Sequence, residues 1–304
     1  MSASSEPVDL VVVGPGAIGC AFGAAAIETG RTVGFAGRTV FDRLQVDFPH
    51  GRIEREVQLA TRPAEVPTAT VIAIATKAHH SEAAIDLARA ALAPESVVAV
   101  LQNGVRQVER VGPLVGPDVP VVPVVVNCPA ERTAPGRVVV AGRALFSVPD
   151  DEPGRRVRGL VDTESAAVVA DERFPTTAWT KLMVNAATGA VAVLTRSDNR
   201  VFTDPEAADL AVGIMREVAA VGRAEGVELA EDLPDRVLEG LRRRALTHMS
   251  SIVVDRLRGD PTEWAERNLV VVQLAVRHGI DVPLNQLTTT LLRLGEPGAP
   301  GQRG

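Results

Sequence analysis

Cysteine is scarce: Cys20 and Cys128 are the two in a chain of 304 residues. They form no CxxC or other metal-ligand spacing, which argues against disulfide stapling and a metal centre and for a reducing compartment. Long apolar runs are also absent. None approaches the roughly eighteen residues that a membrane-spanning helix needs, and the N-terminal MSASSEPVDL lacks the basic region and apolar core of an export signal. A soluble, cytoplasmic protein is the expectation. The net charge of −6 is spread without a block of one sign, so neither nucleic acid nor a membrane surface is expected as the main partner. A small molecule fits better. No internal repeat is visible, and the length exceeds what one core usually fills, so two domains are expected.

The first half alternates strands with helices. Val8–Val13 is short, apolar and β-branched, as a strand buried on both faces of a parallel sheet should be. Gly14-Pro15-Gly16-Ala17-Ile18-Gly19 follows and fits GxGxxG, and the next stretch has helical spacing up to Gly30. In this setting Gly14 permits a tight turn, Gly16 lets backbone approach a pyrophosphate, and Gly19 lets the helix pack on the sheet. The helix N-terminus adds N–H groups and a positive dipole end. Dinucleotide binding is the reading, with Pro15, Ala17 and Ile18 in the same loop.

What is missing after the second strand, residues 32 to 36, is also informative. An NAD-binding chain places a carboxylate about twenty positions beyond the glycines, whereas here Gly37-Arg38 stands. Arg38 either grips a 2′-phosphate, which favours NADP(H), or is an ordinary surface arginine. Residues 48 to 54 read as a hairpin excursion, 57 to 60 as a weak strand and 70 to 75 as a buried one that delivers Lys77. His79 and His80 read as the start of the next helix rather than as metal ligands. Residues 96 to 101 form a further strand ending in Gln102-Asn103-Gly104, which either lines the nicotinamide or is a plain turn. Residues 119 to 127 read as one strand, and 137 to 141 with 144 to 148 as a closing antiparallel pair. The pattern is that of a doubly wound, mainly parallel α/β sheet of Rossmann type over residues 1 to 173.

After Phe174-Pro175 the strand signals disappear, and residues 174 to 304 read as an all-α domain with a disordered tail from about residue 295. The stretch from Trp179 to Leu194 is almost wholly apolar, yet Lys181 and Asn185 sit in it four residues apart, with Gly189 next along the same stripe. Such a lysine either snorkels to the surface or is put to use. Residues 205 to 225 are amphipathic, with Leu210, Ile214, Val218 and Val221 on one face. The run Arg242, Arg243, Arg244 reads as a solvated face. Asp260-Pro261-Thr262-Glu263 has the form of a capping box.

The order of GPGAIG, Arg38, Thr76-Lys77, Gln102-Asn103-Gly104, WTKLMVN at 179 to 185, Ser250-Ser251 with Asp255, Thr262-Glu263 and HGIDVP at 278 to 283 resembles the ketopantoate reductase (2-dehydropantoate 2-reductase) family over nearly the whole length. The resemblance implies a Rossmann domain, a helical substrate and dimerisation domain, and a cleft in which NADPH reduces a 2-keto acid. It assigns Lys181 as general acid, with Asn185, Asn199, Ser251 and Asn103 at the substrate. Lys77 and Asn103 would line the cofactor, and Glu263 would stand near both. Two positions depart. Ketopantoate-reducing members carry asparagine where Gly189 and His248 stand, which leaves the reduction intact but opens the choice of substrate. A reductase of another keto acid or ketone, and an NADP(H) sensor without turnover, are the alternatives.

Overall fold

The computed structural model describes residues 6–242 and 249–299. The chain forms two compact units, Met1–Phe174 and Pro175–Gly304.

The first unit runs β1 (Val8–Val13), α1 (Ala17–Glu28), β2 (Val33–Ala36), β3 (Arg43–Phe48), β4 (Gly51–Glu56), β5 (Leu59–Ala60), β6 (Ala69–Ile74), α2 (Ser81–Ala90), β7 (Leu92–Val100), α3 (Gln107–Val115) and β8 (Val121–Pro123). It continues with β9 (Val125–Asn127), β10 (Ala130–Ala134), β11 (Arg137–Val140), β12 (Ala144–Pro149), α4 (Glu152–Arg158) and β13 (Ala166–Asp171). Six parallel strands make the main sheet in the order β5-β2-β1-β6-β7-β8. The chain winds one way from β1 to β2 and the other way from β6 to β7, so the order reverses between β1 and β6. Both faces are covered. Leu10 and Val12 of β1 join one core with α1, whereas Val11 and Val13 join another with α2 and α3. That two-sided burial is why these strands are continuously apolar rather than alternating.

Two sequence expectations are corrected here. Residues 119 to 127 are not one strand: β8 lies beside β7 in the main sheet, while β9 pairs antiparallel with β12 in a three-stranded sheet, order β13-β12-β9. Pro123, which cannot donate to a ladder, marks the break at the sheet edge. Nor do residues 137 to 141 and 144 to 148 pair with each other. β11 pairs with β10 and with β3, in the four-stranded sheet β10-β11-β3-β4, and β12 runs parallel to β13. The alternate residues Ala144, Phe146 and Val148 are fully buried, with Phe146 edge-on to Phe22 of α1 at 4.9 Å. Packing on the helix outweighs the local hairpin, which would bury less apolar surface.

The second unit is helical: α5 (Phe174–Thr195), α6 (Pro205–Ala224), α7 (Leu233–Arg242), α8 (Ser251–Arg258), α9 (Val270–His278) and α10 (Pro283–Leu294). On α6, Ile214, Val218 and Val221 are buried as the spacing predicts, but Leu210 is exposed. Arg243, Arg244 and His248 lie outside the described residues. The expected capping box at 260 to 263 is not a helix start. Thr262 instead turns its N–H and Oγ1 to the carboxylate of Glu296, at 2.9 and 2.6 Å, and the helix resumes at Trp264 through a π turn, Ala265–Leu269. The same carboxylate accepts from Arg256 Nη2 at 2.7 Å. A tail free from residue 295 is therefore corrected at Glu296, which a half-buried ion pair holds to the unit.

Candidate active site

In a parallel sheet all strands deliver their carboxyl ends to one edge, and ligands bind where the strand order reverses. That edge carries Gly14–Gly19 after β1, Arg38 after β2, Thr76 and Lys77 after β6, and Gln102–Gly104 after β7. Gly14 has φ +90°, and a Cβ there would stand 2.7 Å from the Thr76 nitrogen. A Cβ on Gly19 would meet the Gly14 carbonyl oxygen at 2.5 Å. Both positions exclude every other residue on steric grounds. Gly16 is different, because a Cβ there would meet nothing within 4 Å: its backbone faces open space. Helix α1 starts at this glycine with no side-chain cap and no acidic residue in its first turn, so its first N–H groups and positive dipole end remain available for an anion. The loop therefore fits a pyrophosphate.

Arg38 is exposed, and its Nη2 stands 3.5 Å from His80 Nε2. His80 begins the next helix as predicted, after a short 3-10 turn, but it also brings that helix to the end of β2. Its pKa is held below the usual histidine value by burial first, then by His79 and Arg38. Gln102 turns its side chain into the protein. It is buried, its amide donates to Thr76 O and Oγ1 at 3.0 and 3.2 Å, and its Oε1 accepts from Ser81 and Arg110 at 3.1 and 2.9 Å. The side chain is spent on bracing the ends of β6 and β7, which sets the place of Lys77 and Asn103. Both of those are half-buried.

In the helical unit, Lys181 and Asn185 are half-buried on α5, flanked by buried Leu182, Met183, Ala186 and Ala187. Gly189 follows on the same stripe. Above it lies a side chain that the sequence did not single out. A Cβ on Gly189 would stand 3.5 Å from Arg267 Nη1 and 3.3 Å from Ile252 Cγ2. Arg267 sits in the π turn, only 3% exposed, and its Nη2 donates to Ser251 Oγ at 3.1 Å. Glu263, equally buried, places Oε2 3.8 Å from the same nitrogen. Thus Gly189, Ser251, Glu263 and Arg267 are brought together from α5, α8, the loop that follows α8 and the π turn. The next residue, Asn268, donates from Nδ2 to the Ala186 carbonyl at 2.9 Å and ties the turn to α5. Asn199 is buried in a short 3-10 turn after α5. The one signal that could have found Arg267 is its spacing, four residues beyond Glu263.

Residues 10–152 match the family model described as "Ketopantoate reductase PanE/ApbA", and residues 173–296 match its C-terminal companion. The chain belongs to the ketopantoate reductase family. It is 35% identical over 286 residues to the 2-dehydropantoate 2-reductase of Caulobacter vibrioides, covering 93% of this chain and 97% of the relative. To the enzyme of the same name from Mycobacterium tuberculosis it is 34% identical, covering 96% and 99%. Among solved structures, the fold is shared with a PanE/ApbA family ketopantoate reductase from Ralstonia eutropha (TM-score 0.86, 24% identity, 94% and 98% covered). It is also shared with a D-mandelate dehydrogenase solved with NADH and anilino(oxo)acetate (TM-score 0.82, 17% identity, 94% and 97% covered). As a member of this family of reductases, the chain is an oxidoreductase, and among its described residues no helix is long and apolar enough to cross a membrane.

Proposed function

We propose that the chain reduces a 2-keto acid to the 2-hydroxy acid with NADPH, 2-dehydropantoate being the first substrate to test. The observation that carries this reading is the single stripe of α5 that presents Lys181 and Asn185 and ends at Gly189, against Arg267, Ser251 and Glu263. Gly14, Pro15, Gly16, Ala17, Ile18 and Gly19 would hold the pyrophosphate. Arg38 would hold the 2′-phosphate, and Lys77 and Asn103 the neighbouring ribose and nicotinamide. When bound, NADPH supplies a hydride to the carbonyl carbon. As the carbonyl π pair moves onto oxygen, the Lys181 ammonium stabilises the growing charge and gives up a proton to it, to be reprotonated later from water. Asn185, Asn199 and Ser251 would orient the substrate, with Glu263 near both reactants.

The test is loss of NADPH absorbance with 2-dehydropantoate, run beside NADH and beside Lys181→Ala. Turnover with a preference for NADPH is expected, as is a silent variant that still binds NADPH. Tight NADPH binding without turnover on any carbonyl would instead mark a cofactor sensor.

A second reading, a reductase of a different keto acid, is favoured by Gly189, where a guanidinium and not an asparagine amide faces the stripe. A panel of larger and smaller keto acids separates the two. Homodimerisation through the helical unit is part of the proposal. A structural relative from Staphylococcus aureus is described as dimeric, and sedimentation would measure the state of this chain. Cytoplasmic residence is likewise proposed.

A further inference from the structure

Resting on the keto-acid reading above, we propose that Arg267 is a specificity-determining residue whose guanidinium, set against Gly189, grips the substrate carboxylate together with Ser251. Four observations point there.

First, the charge is buried and under-compensated. Arg267 is 3% exposed and its Nε finds no hydrogen-bond partner among the described residues. Its nearest carboxylate oxygen, on Glu263, stands 3.8 Å away, beyond hydrogen-bond reach. Burial works against its charge, and only the fields of Glu263, Asp255 and Glu266 work for it. A guanidinium in such a place is costly unless an anion completes it, and a carboxylate matches its fork in two parallel bonds.

Second, the recess is built around it. Residue 189 is glycine, and a Cβ there would touch Arg267 Nη1 at 3.5 Å, so a longer side chain would run into the guanidinium. The cation therefore joins the same helical stripe as Lys181 and Asn185.

Third, Arg267 fixes the direction of Ser251. Because Nη2 donates to Ser251 Oγ, the hydroxyl proton is turned outward toward an acceptor. Ser251 itself is exposed, so the pair leads from the protein interior to solvent.

Fourth, the residue is carried on a π turn, Ala265–Leu269, a costly irregularity that recurs at functional positions. The adjacent Asn268 Oδ1 and the nearby Ser250 Oγ are likewise buried without a hydrogen-bond partner among the described residues. A purely structural arginine would not need the helix to be distorted beneath it.

The experiment compares 2-dehydropantoate with its uncharged methyl ester, by initial rates with NADPH, in the wild type and in Arg267→Met, Arg267→Lys and Gly189→Asn. For Arg267→Met the KM of the acid should rise about 10- to 100-fold, with a much smaller rise for the ester and the NADPH dissociation constant unchanged. The acid-over-ester preference would then collapse. Lysine should restore part of it, because it keeps the charge without the fork. Gly189→Asn should mimic the loss, because its amide must displace the guanidinium, and it serves if the methionine variant fails to fold. An equal decline for acid and ester, or an unchanged KM for the acid, overturns the proposal and leaves a structural arginine. Should the wild type reduce neither compound, the functional reading fails on its own, and the proposal is judged by thermal shift of the NADP⁺-loaded protein. Stabilisation by 2-dehydropantoate in the wild type but not in Arg267→Met supports it, and equal or absent shifts overturn it.

Discussion

In the unit Met1–Phe174 the candidate ligand edge is made of main chain. Gly14 turns at φ +90°, Gly16 opens onto space, and α1 begins without a side-chain cap. In the unit Pro175–Gly304 the candidate edge is made of side chains. Lys181 and Asn185 rise from an apolar helix, and Arg267, Ser251 and Glu263 meet at Gly189. The first arrangement works by leaving atoms out, and its parts are contiguous in the chain. The second works by burying charge, and its parts come from three separated segments. Backbone N–H groups bind any pyrophosphate alike, so the first unit fixes the cofactor class, whereas the second is free to set the substrate.

Four outcomes would sharpen or break this contrast. The largest belongs to Lys181→Ala: kcat should fall about 10²- to 10⁴-fold, the range for a lost general acid, while NADPH titration by fluorescence is unchanged. Binding lost together with turnover would erase the division of labour. Gly14→Ala should do the converse. Backbone strain of about 1–3 kcal/mol, added to the contact with Thr76, should weaken NADPH about tenfold or more in the same titration, with the helical unit left intact by circular dichroism. Arg38→Gln should cost about tenfold in NADPH affinity, as for one charge-assisted contact, and leave NADH where it was. An equal effect on both cofactors would remove Arg38 from the 2′-phosphate. The smallest effect is on stability. Glu296→Gln should lower unfolding free energy by about 1–2 kcal/mol in a urea titration, the buried-pair cost discounted for partial exposure, without changing NADPH binding.

The legible parts of the molecule share one property, locality. β1, the glycine turn and α1 were readable because strand, turn and helix signals fall within one short stretch, each with its own steric reason. The helix bearing Lys181 was readable from its apolar content. Register and partner choice were not. Residues 119 to 127 divide between two sheets because Pro123 ends one ladder and Asn127 pairs with Leu145 of β12, and no local pattern announces that. The capping-box spacing at 260 to 263 was a true local signal that a distant carboxylate, Glu296, overrode. Nor does a local pattern announce that the Gln102 amide serves Thr76 while its Oε1 serves Ser81 and Arg110.

The amino-acid order by itself determined the α/β class of the first half, the helical class of the second and the glycine turn into α1, because propensity, periodicity and glycine sterics act over a few residues. The tertiary structure alone decided what stands beside Gly189. An absent side chain has no chemistry until the fold brings Arg267 beside it, and a charge 78 positions away in the chain becomes a neighbour only through packing.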